Sequence, residues 1–461
     1  MQKRILVLML AAGFALAGCG GGGSGSSPSL GSIGSPSGTA GGSGTSPGTS
    51  GGGGTASSGS GSGSSGSSGS GGSGSGSPAA ETVLYAFGTN GSGDGSEPSG
   101  TLVMDPSGNL YGTTALGGSN NTGTVFEWTP AGVEHVLYAF GPSGGTDGYA
   151  PNGALTIDAT GHLFGTTQQG GAGNALTPPT GLGAVFRISP AGVESLLHSF
   201  VFGSTPPDGS QPFSGVIQNT AGDLFGTTST GGANGTGAVY EITAAGSESL
   251  LHSFGPTGSG DGANPYGGLI MDASGDLFGE TSGGGANGTG AVFEIQAGGS
   301  ESVLYSFGAT GGGDGSDPVG SLSMDAAGNL YGATQYGGAN GTGTIFELTT
   351  AGREQILHSF GAAGSGDGNQ PNGNLLINAA GDIFGTTSGG GSSRLVASGG
   401  GEVFEITPTG SYSVLYEFGQ NGGSDGTNPG GGLIEDSSGN LYGTTVSGGD
   451  HGAGTIFRIT P

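Results

Sequence analysis

One unit is written seven times in this chain. Phe87, Phe140, Phe200, Phe254, Phe307, Phe360 and Phe418 each close a "YAF" or "HSF" run or a variant of it, at spacings of 53, 60, 54, 53, 53 and 58 residues. A unit of that length cannot bury its own apolar face, so the copies must stack and share a core. The copy ending at Phe307 reads "DGANPYGGLIMDASGDLFGETSGGGANGTGAVFEIQAGGSESVLYSF"; in it the runs "GLIM", "DLFGET", "AVFEI" and "SVLYSF" alternate with Gly, Asp and Asn clusters. Each run is short and rich in β-branched or aromatic residues, with no 3.6-residue period long enough for a helix, which predicts four strands per copy. "MDASGD" between the first two runs and "QAGGS" between the last two are short and contain Gly, as tight antiparallel hairpins require.

Seven copies of four antiparallel strands predict an all-β fold, a seven-bladed β-propeller. The first copy begins with a lone fourth strand, "ETVLYAF" over 81–87, and the last ends at its third, "TIFRIT" over 455–460. The N-terminal strand therefore closes the last blade and covers an edge that would otherwise invite aggregation. Strand order puts the connections between strands two and three, and from strand four to the next blade, on one face. The irregularities in length fall there: around 174–182, in "VFGSTPPDGSQP", and at 392–398. This long-loop face is the expected binding surface.

Gly and Pro make up 138 of 461 residues, but 20–80 show no period and no charge, only Gly and Ser with a few Thr, Ala, Pro, Leu and Ile. Such a segment cannot bury enough apolar surface to fold, and a coil of its length reaches roughly 40–50 Å. The start, "MQKRILVLMLAAGFALAGC", carries Lys3 and Arg4, then a short apolar run, then small residues, the layout of a secretory signal peptide. Leu16-Ala17-Gly18-Cys19 resembles the lipobox of bacterial lipoproteins, and that resemblance implies cleavage before Cys19, the sole cysteine, and lipid attached to it. The expected organisation is a signal peptide over 1–18, a lipidated Cys19 and disordered tether over 19–80, and the propeller over 81–461. The protein is then a monomer in the bacterial cell envelope, facing the periplasm or exterior, with the membrane as its partner through Cys19. Beyond the signal peptide four arginines stand against 33 carboxylates, a formal charge of −29, which argues against nucleic acid.

"GNLYGTT", "GGANGTGTIFELT" and "VLYSFG" resemble the GloVer tandem repeat, a bacterial choice-of-anchor family, across essentially all of 81–461. The order Pro-x-Gly-(apolar)-x-x-Asp-x-x-Gly-Asn-(apolar)-aromatic is similar to the NHL class of propeller blade, with Gly-x-Thr in place of its usual Val-Ala-Asp. The resemblance implies architecture and anchoring, and no established activity.

Seven aspartates, Asp94, Asp147, Asp208, Asp261, Asp314, Asp367 and Asp425, open Asp-Gly-x-x-Pro segments. Such a carboxylate accepts backbone N–H groups while Gly takes positive φ and Pro launches the next strand, so a turn is the preferred reading. Calcium, which needs six to eight oxygens, is the cofactor these loops could recruit, and the seven are its candidate ligands. His198, His252 and His358 share a slot with Tyr85, Tyr138, Tyr305 and Tyr416, which points to a common structural role. Glu280, in place of the usual Thr or Ala, and Glu435, in the innermost strand, break the sevenfold pattern and are the candidate catalytic acids. Trp128 stands where other copies have Ile or Leu, and a core position is expected for it. No nucleophile elbow, phosphate loop or HExxH occurs. These features favour a binding or scaffolding module for a protein or glycan on the long-loop face. A polysaccharide hydrolase or lyase and a purely structural surface protein are the alternatives.

Overall fold

The computed structural model describes residues 79–461 apart from 143–145, 172–181, 202–203, 205–206, 257, 310, 362–365 and 392–398. The signal peptide, Cys19, nearly all of the tether and most of the 174–182 and 392–398 insertions lie outside the described residues.

The chain forms a seven-bladed propeller of antiparallel sheets. Blade 1 runs outward from Gly95–Pro98 and Val103–Met104 through Leu110–Gly117 and Thr124–Trp128 to Glu134–Ala139, and the later blades repeat that order. Ala80–Ala86 pairs with Thr455–Thr460 from Ala80↔Thr460 to Ala86↔Thr455, so the first strand is the outer strand of blade 7, as the ends of the repeat required.

The core sits between the blades, in seven clusters of the same make-up. At each seam the Phe that closes one blade meets an aromatic ring in the third strand of the next. Phe87 lies 5.1 Å from Phe126 and Phe140 5.2 Å from Phe186, both edge-on. Edge-on pairs add about 0.5–1.5 kcal/mol beyond the area they bury. Every outer strand carries a β-bulge one residue before its Tyr or His, at Leu84 in the closing strand and Leu197 in blade 2. The extra residue lets two neighbours face the same way. Leu84 and Tyr85 accordingly both pack on the seam core. Trp128 is 8% exposed and belongs to the same cluster, a core residue as expected.

The Asp-Gly-x-x-Pro segment departs from the expected turn in two ways. It is itself a strand stub, with Gly262↔Gly284 and Ala263↔Gly283 pairing it to the end of the second strand in blade 4. The left-handed residue is also not consistently the glycine: Gly148, Gly315 and Gly426 have positive φ, but the residue before Pro does so in all seven copies. Glu97, Ala150, Gln211, Asn264, Asp317, Gln370 and Asn428 lie at φ 53–60°. That conformation aims each N–H at the preceding blade. Glu97 donates to Ala453 O at 3.0 Å, Asn264 to Thr236 O at 2.7 Å and Asn428 to Gly400 O at 2.8 Å. The following Pro lacks an N–H and its ring packs on a glycine of that same blade; a Cβ on Gly290 would sit 2.5 Å from Pro318 Cδ.

Deleting residues 80–87 from the full chain should leave Thr455–Thr460 with a bare strand edge, lower the melting temperature and promote dimers. A peptide spanning those residues, added in trans, should restore the monomer. Calorimetry and light scattering read both effects, and an unchanged melting temperature would contradict the closure described.

Candidate functional site

The seven aspartates lie at the seams on the long-loop face. Asp94 Oδ2 accepts from Tyr85 Oη at 2.7 Å and from Gly88 N at 2.8 Å, and its Oδ1 accepts from Gly95 N at 2.8 Å. Asp147, Asp314 and Asp425 accept from Tyr138, Tyr305 and Tyr416 at 2.8–2.9 Å. At Asp208, Asp261 and Asp367 the partner is His198, His252 or His358, with Nε2 3.1–3.2 Å away. Tyr and His are thus interchangeable polar tips in one slot. The sequence did not reveal what faces them: a glutamate that starts the outer strand of the next blade. The charge of Asp94 acts on Glu134, an effect that hydrogen bonds with Asn90 and Tyr85 partly offset, and the charge of Asp425 acts on Glu81. Burial, then the facing aspartate, pushes Glu81 and Glu134 up to about 7.

Nearer the axis, consecutive inner strands touch backbone to backbone. A Cβ on Gly100 would lie 2.6 Å from Gly153 O, and one on Gly267 1.7 Å from Gly320 O. Threonines in the second strand donate to these inner carbonyls: Thr113 to Gly153 O at 3.1 Å, Thr166 to Ser214 O at 2.7 Å and Thr227 to Gly267 O at 2.9 Å. Glu280 occupies that threonine position in blade 4. Its side chain is 1% exposed, neither carboxyl oxygen has a hydrogen-bond partner, and burial raises its pKa well above the usual range. The carboxyl reaches blade 5, where a Cβ on Gly332 would lie 2.5 Å from Glu280 Oε1 and where Ala333 replaces the threonine. A longer side chain in one blade meets a shorter one in the next.

Glu435 is half-buried in the inner strand of blade 7, near the hairpin at Gly439. The two candidate acids thus stand in blades 4 and 7 and do not form the close carboxylate pair that glycoside hydrolysis uses. A third departure escaped the sequence reading. In blade 6 the third strand begins with Glu402, where other blades have Thr or Ala, and the outer strand begins with Tyr412, where they have Glu. Tyr412 Oη donates to Glu402, which is fully buried and pushed up to about 7 by burial. The register pairs Glu402 with Glu417 and Tyr412 with Ile406, so the tyrosine reaches along the strand pair to the buried carboxyl, a contact the sequence alone does not show.

The loop-face end of the axis is lined by the residue after each motif proline. Five blades present Ser99, Asn152, Val319, Asn372 and Gly430, while blades 3 and 4 present Phe213 and Tyr266, partly buried and edge-on at 4.9 Å. Burial and the charge of Asp317 raise Tyr266, and burial raises Asp317 itself. Ser99 Oγ lies 3.4 Å from Asn152 Oδ1, and Asn152 Nδ2 donates to Gln168 Oε1 at 3.1 Å. On the same face a cavity of about 420 Å³ at the blade 7 to blade 1 seam is lined by Asp94, Ser96, Asn120 and Asn121. A second, of about 580 Å³, opens on the hairpin face between Asp105, Glu127, Asp158 and Pro190.

Residues 48–259 and 175–396 match the Gloeobacter/Verrucomicrobia repeat in two overlapping stretches. No match was found among curated proteins. Among solved structures the chain is similar to a streptogramin B lyase, at 13% identity and a TM-score of 0.54 over 83% of this chain and 98% of the other. It is likewise similar to virginiamycin B lyase from Staphylococcus aureus, at 13% identity and a TM-score of 0.52 over 83% and 99%. At that identity the likeness is one of fold.

Glu81, Glu134, Glu280 and Glu402 are all raised above the ordinary 4.5. A carboxyl raised in the fold holds its proton more tightly there than in the unfolded chain, so its contribution is full below 4.5 and is lost as pH climbs through the folded value. Asp105, Asp325 and Asp436 act at lower pH: burial pushes them up, but hydrogen bonds from Asn109, Asn329 and Asn440 outweigh it and hold them below the usual range. Melting temperature should therefore fall as pH rises from about 5 to about 7. Glu280→Gln should flatten part of that slope; a slope of opposite sign in a calorimetric pH series would refute the assignment.

Proposed function

We propose, for a chain that belongs to the Gloeobacter/Verrucomicrobia repeat family, the role of a lipid-anchored extracytoplasmic binding module that engages a neutral glycan at the axial mouth of its long-loop face. The observation that carries this reading is the break in symmetry there. Phe213 and Tyr266 offer adjacent aromatic surfaces where five other blades offer small, amide or aliphatic side chains. Groups suited to hydroxyls complete the mouth, with the raised carboxyl of Asp317 beside Tyr266 and Asn152 and Asn372 at the matching positions of blades 2 and 6. Aromatic faces with a few polar groups make a sugar-binding surface, and a net charge of −29 past the signal peptide disfavours anionic chains. Cys19 and the Gly/Ser tether supply attachment and reach, on the lipobox resemblance and the composition. The competing reading, a polysaccharide hydrolase or lyase working from the same face, predicts polysaccharide turnover.

One experiment tests the anchor and a second tests the site. Mass spectrometry of the mature N-terminus should find Cys19 acylated, and an unmodified cysteine there removes the anchor. On a glycan array, Phe213→Ala and Tyr266→Ala should each weaken binding about tenfold, the size of about 1.4 kcal/mol. Both side chains are partly buried against each other, so the melting temperature of each variant is measured alongside to separate lost binding from lost folding. Unchanged binding in both variants would overturn the axial site, and polysaccharide turnover would replace binding with catalysis.

A further inference from the structure

Two of the seven seams differ chemically from the other five. At the blade 2 to blade 3 seam His198, Asp208 and Glu248 each bring a ligand atom within 4.8 Å of the other two, and His252, Asp261 and Glu301 do the same one seam further on. His198 Nε2 lies 3.2 Å from Asp208 Oδ2 and His252 Nε2 3.1 Å from Asp261 Oδ2. Two donors on one ion at about 2.1 Å stand roughly 3.0–3.4 Å apart in octahedral or tetrahedral geometry. The spacing found is therefore that of adjacent ligands.

The donors are held in place before any ion arrives. Val201 N and Gly209 N fix Asp208 at 3.1 and 2.8 Å, while Gly255 N and Gly262 N fix Asp261 at 2.6 and 2.7 Å. The imidazoles rest edge-on against Phe200 and Phe254 at 4.8 and 4.9 Å. Glu248 Oε1 and Glu301 Oε1 are shielded from water and have no hydrogen-bond partner. Each seam thus holds an unused acceptor, a second carboxylate and an imidazole nitrogen, with no lysine or arginine among the three.

We propose that these two seams are binding sites for a divalent transition-metal ion, zinc in the first instance, held by His198, Asp208 and Glu248 and by His252, Asp261 and Glu301. The nitrogen donor distinguishes this from the all-oxygen set that calcium prefers. Binding requires the imidazole proton to reside on Nδ1, leaving the Nε2 lone pair for the metal. The remaining seams act as internal controls. Four carry Tyr85, Tyr138, Tyr305 or Tyr416 in place of the imidazole. At the seventh, Tyr412 replaces the glutamate and stacks on His358 at 3.9 Å and 5°. The proposal is independent of the glycan reading, since it concerns the seams and not the axial mouth.

The test titrates the mature full chain with zinc by calorimetry and with cobalt by visible absorption. The wild type should bind two equivalents, His198→Tyr and His252→Tyr one each, and the double variant none. Tyrosine is already the partner at four seams, so these variants should fold, and unchanged melting temperatures without metal would verify it. His358→Tyr should retain both equivalents. Zinc should raise the melting temperature of the wild type and leave the double variant unmoved. A wild type that binds no zinc or cobalt, or a double variant that keeps both equivalents, would overturn the proposal.

Discussion

Everything in this ring depends on how one blade grips the next. A blade of short strands, some only two residues long, has little stability of its own. The grip has three parts set within a few residues: an aspartate that takes the preceding blade's Tyr or His, a left-handed residue whose N–H crosses the seam, and a proline pressed on a glycine of the neighbour. A left-handed conformation at a non-glycine residue is costly and persists only where its surroundings over-determine it. Here it is repeated at every seam, and each time the same cross-blade hydrogen bond offsets the cost.

The sequence showed the fold because the period, the four apolar runs and the split terminal blade are all local statements. It showed the grip less well. The residue before Pro is Glu, Ala, Gln, Asn, Asp, Gln and Asn in turn, and that variety hides a shared conformation. The expectation that Gly takes positive φ fails at Gly95, Gly209, Gly262 and Gly368, because there the segment already lies in a ladder against the second strand. Asp, Tyr and His were legible as a recurring set, but the glutamate that faces them at six of the seven seams starts the outer strand of the following blade, some forty residues or more from the aspartate. Only the closed ring brings it into place. Phe213 and Tyr266 stand in plain view once copies are aligned on proline, yet their meeting depends on the axis.

The departures from symmetry come in compensating pairs. Glu280 reaches toward a neighbour reduced to Ala333, and Glu402 is matched by Tyr412 in the adjoining strand. Close-packed interiors respond in this way, since a change of volume or polarity at one position is felt by whatever touches it. Such pairs mark where a repeat has drifted while its packing was kept. The aromatic pair at the axial mouth is different, because the two rings meet each other, not a reduced partner.

The joining of first and last strands has a mechanical side. Ala80, the first residue of the closing strand, is paired with Thr460, the last residue of its partner. A pull arriving from the N-terminal side therefore enters the ring through the one blade built from both ends of the chain. The six registered pairs of that junction bear the load before any other blade does. The junction that completes the ring is also its fuse: it yields first, and the six blades formed from continuous chain keep their internal pairing while it does.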